Sequence, residues 1–191
     1  MKKVSLVLAL IILNITSAFS QENRISILSG VGYYVDTFGW ADGLTFWLEG
    51  GCKIKTGFSL NFRLSTANLT WEITEGPFSG YETVAIRQAC DLTFSRPIKI
   101  LGDHFVIPGF GIKLKRELHY MPDFYFDNSS GTEILYTSYN KVFYELGFTF
   151  YIDYLYKFPN GVCLGLRTDT NVIWAVGMEG LTISPLFGFE F

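Results

Sequence analysis

Leu181-Thr182-Ile183-Ser184-Pro185-Leu186-Phe187-Gly188-Phe189-Glu190-Phe191 ends the sequence with large apolar residues alternating with small or polar ones. Successive side chains of a strand point to opposite faces, so this stretch predicts a strand with two very different sides. Leu181, Ile183, Pro185, Phe187, Phe189 and Phe191 share one side, and Thr182, Ser184, Gly188 and Glu190 share the other. Leu186 is the one large residue out of place. A strand that finishes on its aromatic face fits a closed barrel whose outer surface meets lipid, where every backbone polar group must be paired within the sheet.

The same alternation recurs upstream. Segments 24–35, 43–55, 57–70, 83–96, 104–118, 139–157, 162–174 and 180–191 read as strands, and no helix-period stretch follows the N-terminal region. The connections alternate in kind. Lys55-Thr56-Gly57, the segment 97–103 and Phe158-Pro159-Asn160-Gly161 are short and carry turn chemistry. Between them fall 36–42, 71–82, 119–138 and 175–179, of which 71–82 and 119–138 are long and polar. Short turns at one end and longer loops at the other are the asymmetry of an up-and-down barrel with both termini on the short-turn side.

Volume decides which face is inside. One parity carries large apolar residues along every strand, from Ile25, Ile27, Val31 and Tyr33 through Leu44, Phe46 and Leu48 to Leu164 and Leu166. The other carries glycine, serine and threonine interleaved with Glu49, Arg63, Arg87, Asp91, Lys113, Glu145, Asp153, Arg167 and Asp169. An eight-stranded barrel has an interior just wide enough for side chains to fill it. The bulky set is therefore expected outside and the charged set inside, where opposite signs pair across a narrow lumen. Trp47, Phe105, Ile107, Phe143, Tyr151 and Leu155 break this rule with inner parity, and Cys52, Gln88 and Cys90 break it with outer parity. Pro108 and Pro185 each remove a ladder donor, which predicts bulges or broken ladder bonds there.

Composition agrees with exposure to lipid. Aromatic residues make up 17% and charged residues 17% of 191 residues, whereas charged residues are about 25% of an average globular chain. A net charge of −3 supplies no basic field for nucleic acid. Met1-Lys2-Lys3, the apolar run Val4 to Leu13 and Ala18-Phe19-Ser20 have the parts of a secretory signal, so residues 1–20 are expected to be a signal peptide cleaved after Ser20, leaving a barrel domain of residues 21–191. No stretch is long and apolar enough for a spanning helix. Cys52, Cys90 and Cys163 fall on separate predicted strands, and no internal disulfide is expected.

On these features, and on Phe187, Phe189 and Phe191 in particular, the sequence resembles small outer-membrane β-barrel proteins of the OmpA/OmpX type. The resemblance implies an all-β, eight-stranded antiparallel up-and-down transmembrane barrel in a Gram-negative outer membrane. It also implies that Phe187, Phe189 and Phe191 form the signal read by the barrel-assembly machinery. The partners implied are that machinery, outer-membrane lipid and an unidentified extracellular ligand. No cofactor, metal or nucleic acid is expected, and no residue is assigned to catalysis. The expected role is structural or interactive at the cell surface, through segments 36–42, 71–82 and 119–138, the last of which contains Tyr120, Met121, Phe124, Tyr125 and Phe126.

Other readings stay open at this level. The inner charges are either a conduit or a set of ion pairs filling a closed interior, and the cost of an unpaired buried charge favours the second. Lipid A acyltransferases of the PagP type and deacylases of the PagL type are barrels that use a histidine with Ser, Asp or Glu near the outer leaflet. His119, with Glu117 two residues before it and Ser138 across the loop, offers the same residue types. His104 falls at the opposite end. Gly30-Val31-Gly32 and Gly109-Phe110-Gly111 lie inside strands with no helix after them, so they make room in a lumen and do not cradle phosphate. A soluble lipocalin-like binder would reverse the faces and enclose an apolar ligand. A small-solute channel would keep the faces but leave the lumen open.

Overall fold

The computed structural model describes residues 24–37, 41–54, 57–72, 80, 82–127, 132–173 and 177–191. The expected signal peptide, residues 1–20, lies outside the described residues, as do 38–40, 73–79, 81 and 128–131 of the expected surface segments 36–42, 71–82 and 119–138. Nine strands follow in order: β1 (Ile25–Asp36), β2 (Asp42–Lys53), β3 (Ser59–Glu72), β4 (Glu82–Ser95), β5 (Ile98–Leu101), β6 (His104–Asp127), β7 (Thr132–Lys157), β8 (Val162–Ile173) and β9 (Gly177–Glu190). Each pairs antiparallel with its neighbours. The sheet closes because β1 pairs with β9 and β4 pairs with β6, which gives a barrel of eight strands with β5 as a small appendage on β6. Closure removes the open edges that a sheet of this size would otherwise present.

The parity of the sequence sets the radial order. Outward residues such as Leu48, 54% exposed, and Phe62, 51% exposed, form an apolar belt on all sides. Inward residues are polar and enclosed: Arg167 is 0% exposed, Arg63 2%, Asp91 1% and Thr149 0%. A lumen built around an apolar ligand, as in a lipocalin-like binder, is excluded by this arrangement. Glycines make the interior narrow where partners come close. A Cβ on Gly32 would collide with the Ser184 hydroxyl, and one on Gly30 with the Trp47 ring. The Pro159-Asn160-Gly161 turn closes β7 onto β8, with Gly161 at φ 85° and its N–H donating to the Phe158 carbonyl at 3.0 Å.

Three expectations need correction. The segment 119–138 is not a loop over most of its length, because β6 and β7 continue through it to Asp127 and from Thr132 as a paired ribbon. Beyond Tyr120 no described residue pairs with β6 on the β4 side, and before Gly147 none pairs with β7 on the β8 side. The ribbon therefore projects past the barrel rim. Next, the segment 97–103 is more than a turn, since it contains β5, all of whose residues are exposed. Finally, neither Pro108 nor Pro185 causes a bulge, and of the two only Pro185 shows the broken ladder expected of it. The register runs unshifted through Pro108, opposite Ile152, and the shifts fall instead at Lys99/Leu101, Met121/Pro122 and Asn171/Val172. Pro185 does interrupt the ladder: β1 and β9 pair at Gly30–Leu186 and again at Tyr33–Ile183, with no pair between. That gap lies in the seam that closes the barrel.

Candidate functional site: the charge ladder of the lumen

Because β-strands alternate, every second residue of eight strands projects into one narrow channel, and the charged ones meet there in storeys. Nearest the termini, Lys157 pairs with Glu190, and its ammonium also lies 4.6 Å from the Phe105 ring. One storey up, Arg167 from β8 forms a forked pair with Glu49 from β2 at 2.7 and 3.0 Å. It also donates to Asp153 from β7 at 2.6 and 2.7 Å. The rings of Trp47 and Tyr151 each lie 4.3 Å from its guanidinium carbon, which satisfies the faces that no carboxylate reaches.

In the middle storey Arg63 donates through Nε to Asp91 at 2.6 Å, through Nη2 to Thr149 at 3.1 Å and through Nη1 to Asp169 at 3.4 Å. Lys113 approaches the other oxygen of Asp91 at 3.7 Å. Toward the ribbon end, Arg87 donates to Glu117 at 2.9 Å and to Glu179 at 2.8 Å. Lys115 joins Glu117 at 3.1 Å, Glu145 at 2.5 Å and Glu179. Tyr34 lies under Arg87, with 4.6 Å from guanidinium carbon to ring centre. His119 completes this storey with its Nε2 2.7 Å from Glu117.

All nine lumen charges named from the sequence face inward, and the ladder joins them. Glu145 is the least enclosed, with a side chain 33% exposed. Sequence reasoning missed Lys115, Glu117, Lys157 and Glu179 as members. Lys115 and Glu117 have the same parity as Lys113, so continuing the alternation two turns of the pleat further would have found them. Glu179 was assigned to a connection because β9 starts at Gly177, earlier than its apolar pattern shows. The inner-parity aromatics that broke the volume rule have a common use: Trp47, Tyr151 and Phe105 each cover a cation, and so does the unflagged Tyr34. Phe143 packs edge-on to His119 with centroids 5.0 Å apart.

Among the described residues the spaces found between storeys are small. A cavity of about 40 Å³ lies below Arg167 beside Leu28, Asn61 and Leu155, and one of about 30 Å³ lies between Arg63 and Arg87. Each holds a few waters at most. Among the described residues no cluster of three or more His, Cys, Asp or Glu is disposed to hold a metal. The two histidines are kept apart. His104 sits at the end opposite His119, with its Nδ1 2.6 Å from the Tyr154 hydroxyl. Ser138, the third element of the hydrolase reading, is the residue left over at the β6–β7 bulge, three positions from Lys141, the strand partner of His119. That separation is about 10 Å along the strand. Phe187, Phe189 and Phe191 all face outward on or just past β9, as the alternation requires.

Neither a family model nor a curated relative matches the sequence. Solved structures do match. OprG, an outer membrane protein from Pseudomonas aeruginosa, superposes with a TM-score of 0.58 at 12% identity over 88% of this chain and 96% of that one. A major outer membrane protein from Thermus thermophilus gives 0.57 at 13% identity, covering 90% of this chain and 100% of that one. Ail, the attachment invasion locus protein of Yersinia pestis, gives 0.55 at 8% identity, with coverage of 90% and 100%. Identities this low speak for architecture alone, and the architecture agrees with what parity and volume dictate: the chain has the closed, eight-stranded, all-antiparallel fold of the small outer-membrane β-barrels.

Proposed function

We propose that the chain is an outer-membrane β-barrel with no catalytic role, delivered by cleavage of the signal peptide near Ser20, and that it acts at the cell surface through the β6–β7 ribbon. One observation carries the reading. A closed sheet with an apolar outer belt and an ion-paired, filled lumen is stable only with hydrocarbon around it, because the same belt in water would expose more than thirty large apolar side chains. The filled lumen argues against a solute channel, and the spacing of His119 and Ser138 argues against the lipid A enzyme. Among the described residues the outer edges of the ribbon have no strand partner beyond Tyr120 on β6 or before Gly147 on β7, the arrangement by which a sheet recruits a further strand from a partner.

Four measurements test this. Folded in detergent, the mature chain is expected to migrate differently on SDS gels before and after boiling. Identical migration together with solubility in plain buffer would overturn the membrane reading. Planar bilayers containing the protein should carry no steady current, and lipid A mass spectra should be the same with wild type and His119→Ala. Protease added to intact cells is expected to cut within residues 121–140 and leave the barrel heat-modifiable, which places the ribbon outside.

A further inference from the structure

The outer wall is not uniform. A groove of about 580 Å³ crosses it, with Phe94 on β4, Phe110 on β6 and Phe150 on β7 along one bank. Strand pairing puts these three in a single row that continues to Thr170 on β8 and Leu181 on β9. The opposite bank begins at Pro108 and Ile152 and ends at Thr168, again strand partners in sequence. The depression exists because β8 presents threonines, at 168 and 170, where its other outward positions include Leu164 and Leu166. The Thr170 hydroxyl already donates to the Gly180 carbonyl at 2.7 Å, so its proton is not free for a ligand.

The groove has a direction. Four strand spacings separate β4 from β9, so it is about 19 Å long. Strands of such barrels tilt by about 35–45°, so a row across them climbs the wall by about 12 Å, close to the hydrocarbon depth of one leaflet. Its low end is the terminus of β4, beside the 97–103 connection, on the side of the chain termini. Arg96 stands there, exposed, with its guanidinium 5.5 Å from the Phe58 ring and its backbone N–H donating to the Pro108 carbonyl at 3.1 Å. No described carboxylate is within ion-pair distance of it.

An apolar trough one leaflet deep, with a cation at its headgroup end, matches one molecular shape. The geometry points to a resident glycerophospholipid of the periplasmic leaflet, with an acyl chain along the Phe94–Phe110–Phe150 row and its phosphate on Arg96. The inference rests on the membrane reading above. It goes beyond it because the belt alone calls for no lipid in any particular place.

Native mass spectrometry of the full mature barrel, delipidated and titrated with phosphatidylethanolamine, tests it. One lipid per barrel is expected to survive the activation that strips the detergent. Arg96→Ala is expected to lower that retained fraction about tenfold by removing a charge-assisted phosphate contact. Thr170→Phe, which fills the groove, is expected to do the same, while Leu48→Ala on the far wall leaves it unchanged. Diacylglycerol of the same acyl composition should be lost, since it has no phosphate. Equal retention in all variants would mean only non-specific lipid, and preference for lipid A would place the site in the other leaflet; either result overturns the proposal. Heat-modifiable migration is run on every sample. If it is present without a retained lipid, only the groove assignment fails, and if it is absent the membrane reading fails and takes the groove with it.

Discussion

The two faces of one sheet are held by opposite kinds of chemistry. Inside, each charge has named partners at fixed distances: Arg167 has Glu49, Asp153, Trp47 and Tyr151, and no other residue type would satisfy the same set. Outside, Leu48 or Phe62 needs only to be apolar and large, because the lipid around it has no fixed shape. The inner face is specific and the outer one generic, although they alternate residue by residue along the same strands. Substitutions should therefore be judged by face before they are judged by size.

Arg167→Ala attacks the specific face hardest. It leaves Glu49 and Asp153 enclosed without a counter-charge, and about 3–5 kcal/mol of barrel stability should be lost in urea titrations in detergent or vesicles. Restoring neutrality with Glu49→Gln and Asp153→Asn in the same chain should recover much of that loss, which a merely steric role for Arg167 would not allow. On the generic face the damaging change is a charge. Leu48→Arg, halfway along β2 and facing lipid, should cost about 2–4 kcal/mol in the same assay. Gly32→Val comes next at about 1–3 kcal/mol, because its side chain must displace Ser184 across the closing seam. Smallest is Leu48→Phe, which keeps the belt apolar and should stay within about 0.5 kcal/mol. A Leu48→Phe loss as large as that of Arg167→Ala would remove the distinction between the faces.

The same distinction explains what the sequence could tell. Period-two alternation exists wherever one face meets lipid and the other a lumen, so the strands of the barrel wall were legible within a few residues of their observed ends. Where that contrast stops, the signal stops. Residues 121–127 and 132–138 stand beyond the rim, and their alternation carries no lipid-against-lumen code. Pro122 and the aromatic run around it read as a loop even though the backbone is paired. Which charges belong to the lumen was likewise visible from parity. Which charge pairs with which was not, since Glu49 and Arg167 lie 118 residues apart and meet only once the barrel has closed.

That last pairing has a consequence for assembly. An up-and-down sheet is, strand by strand, indifferent to how many hairpins precede closure and to a slip of two residues along the seam, since either error keeps the apolar face outward. The Arg167–Glu49 contact is not indifferent, because it spans the lumen from β8 to β2 and exists at only one circumference and one stagger. It serves as a vernier. A barrel closed at the wrong count or offset would leave Arg167 with Asp153 alone, its partner on the neighbouring strand, and Glu49 enclosed with no counter-charge, and the interrupted ladder at Pro185 is where such a mistake would be easiest to undo.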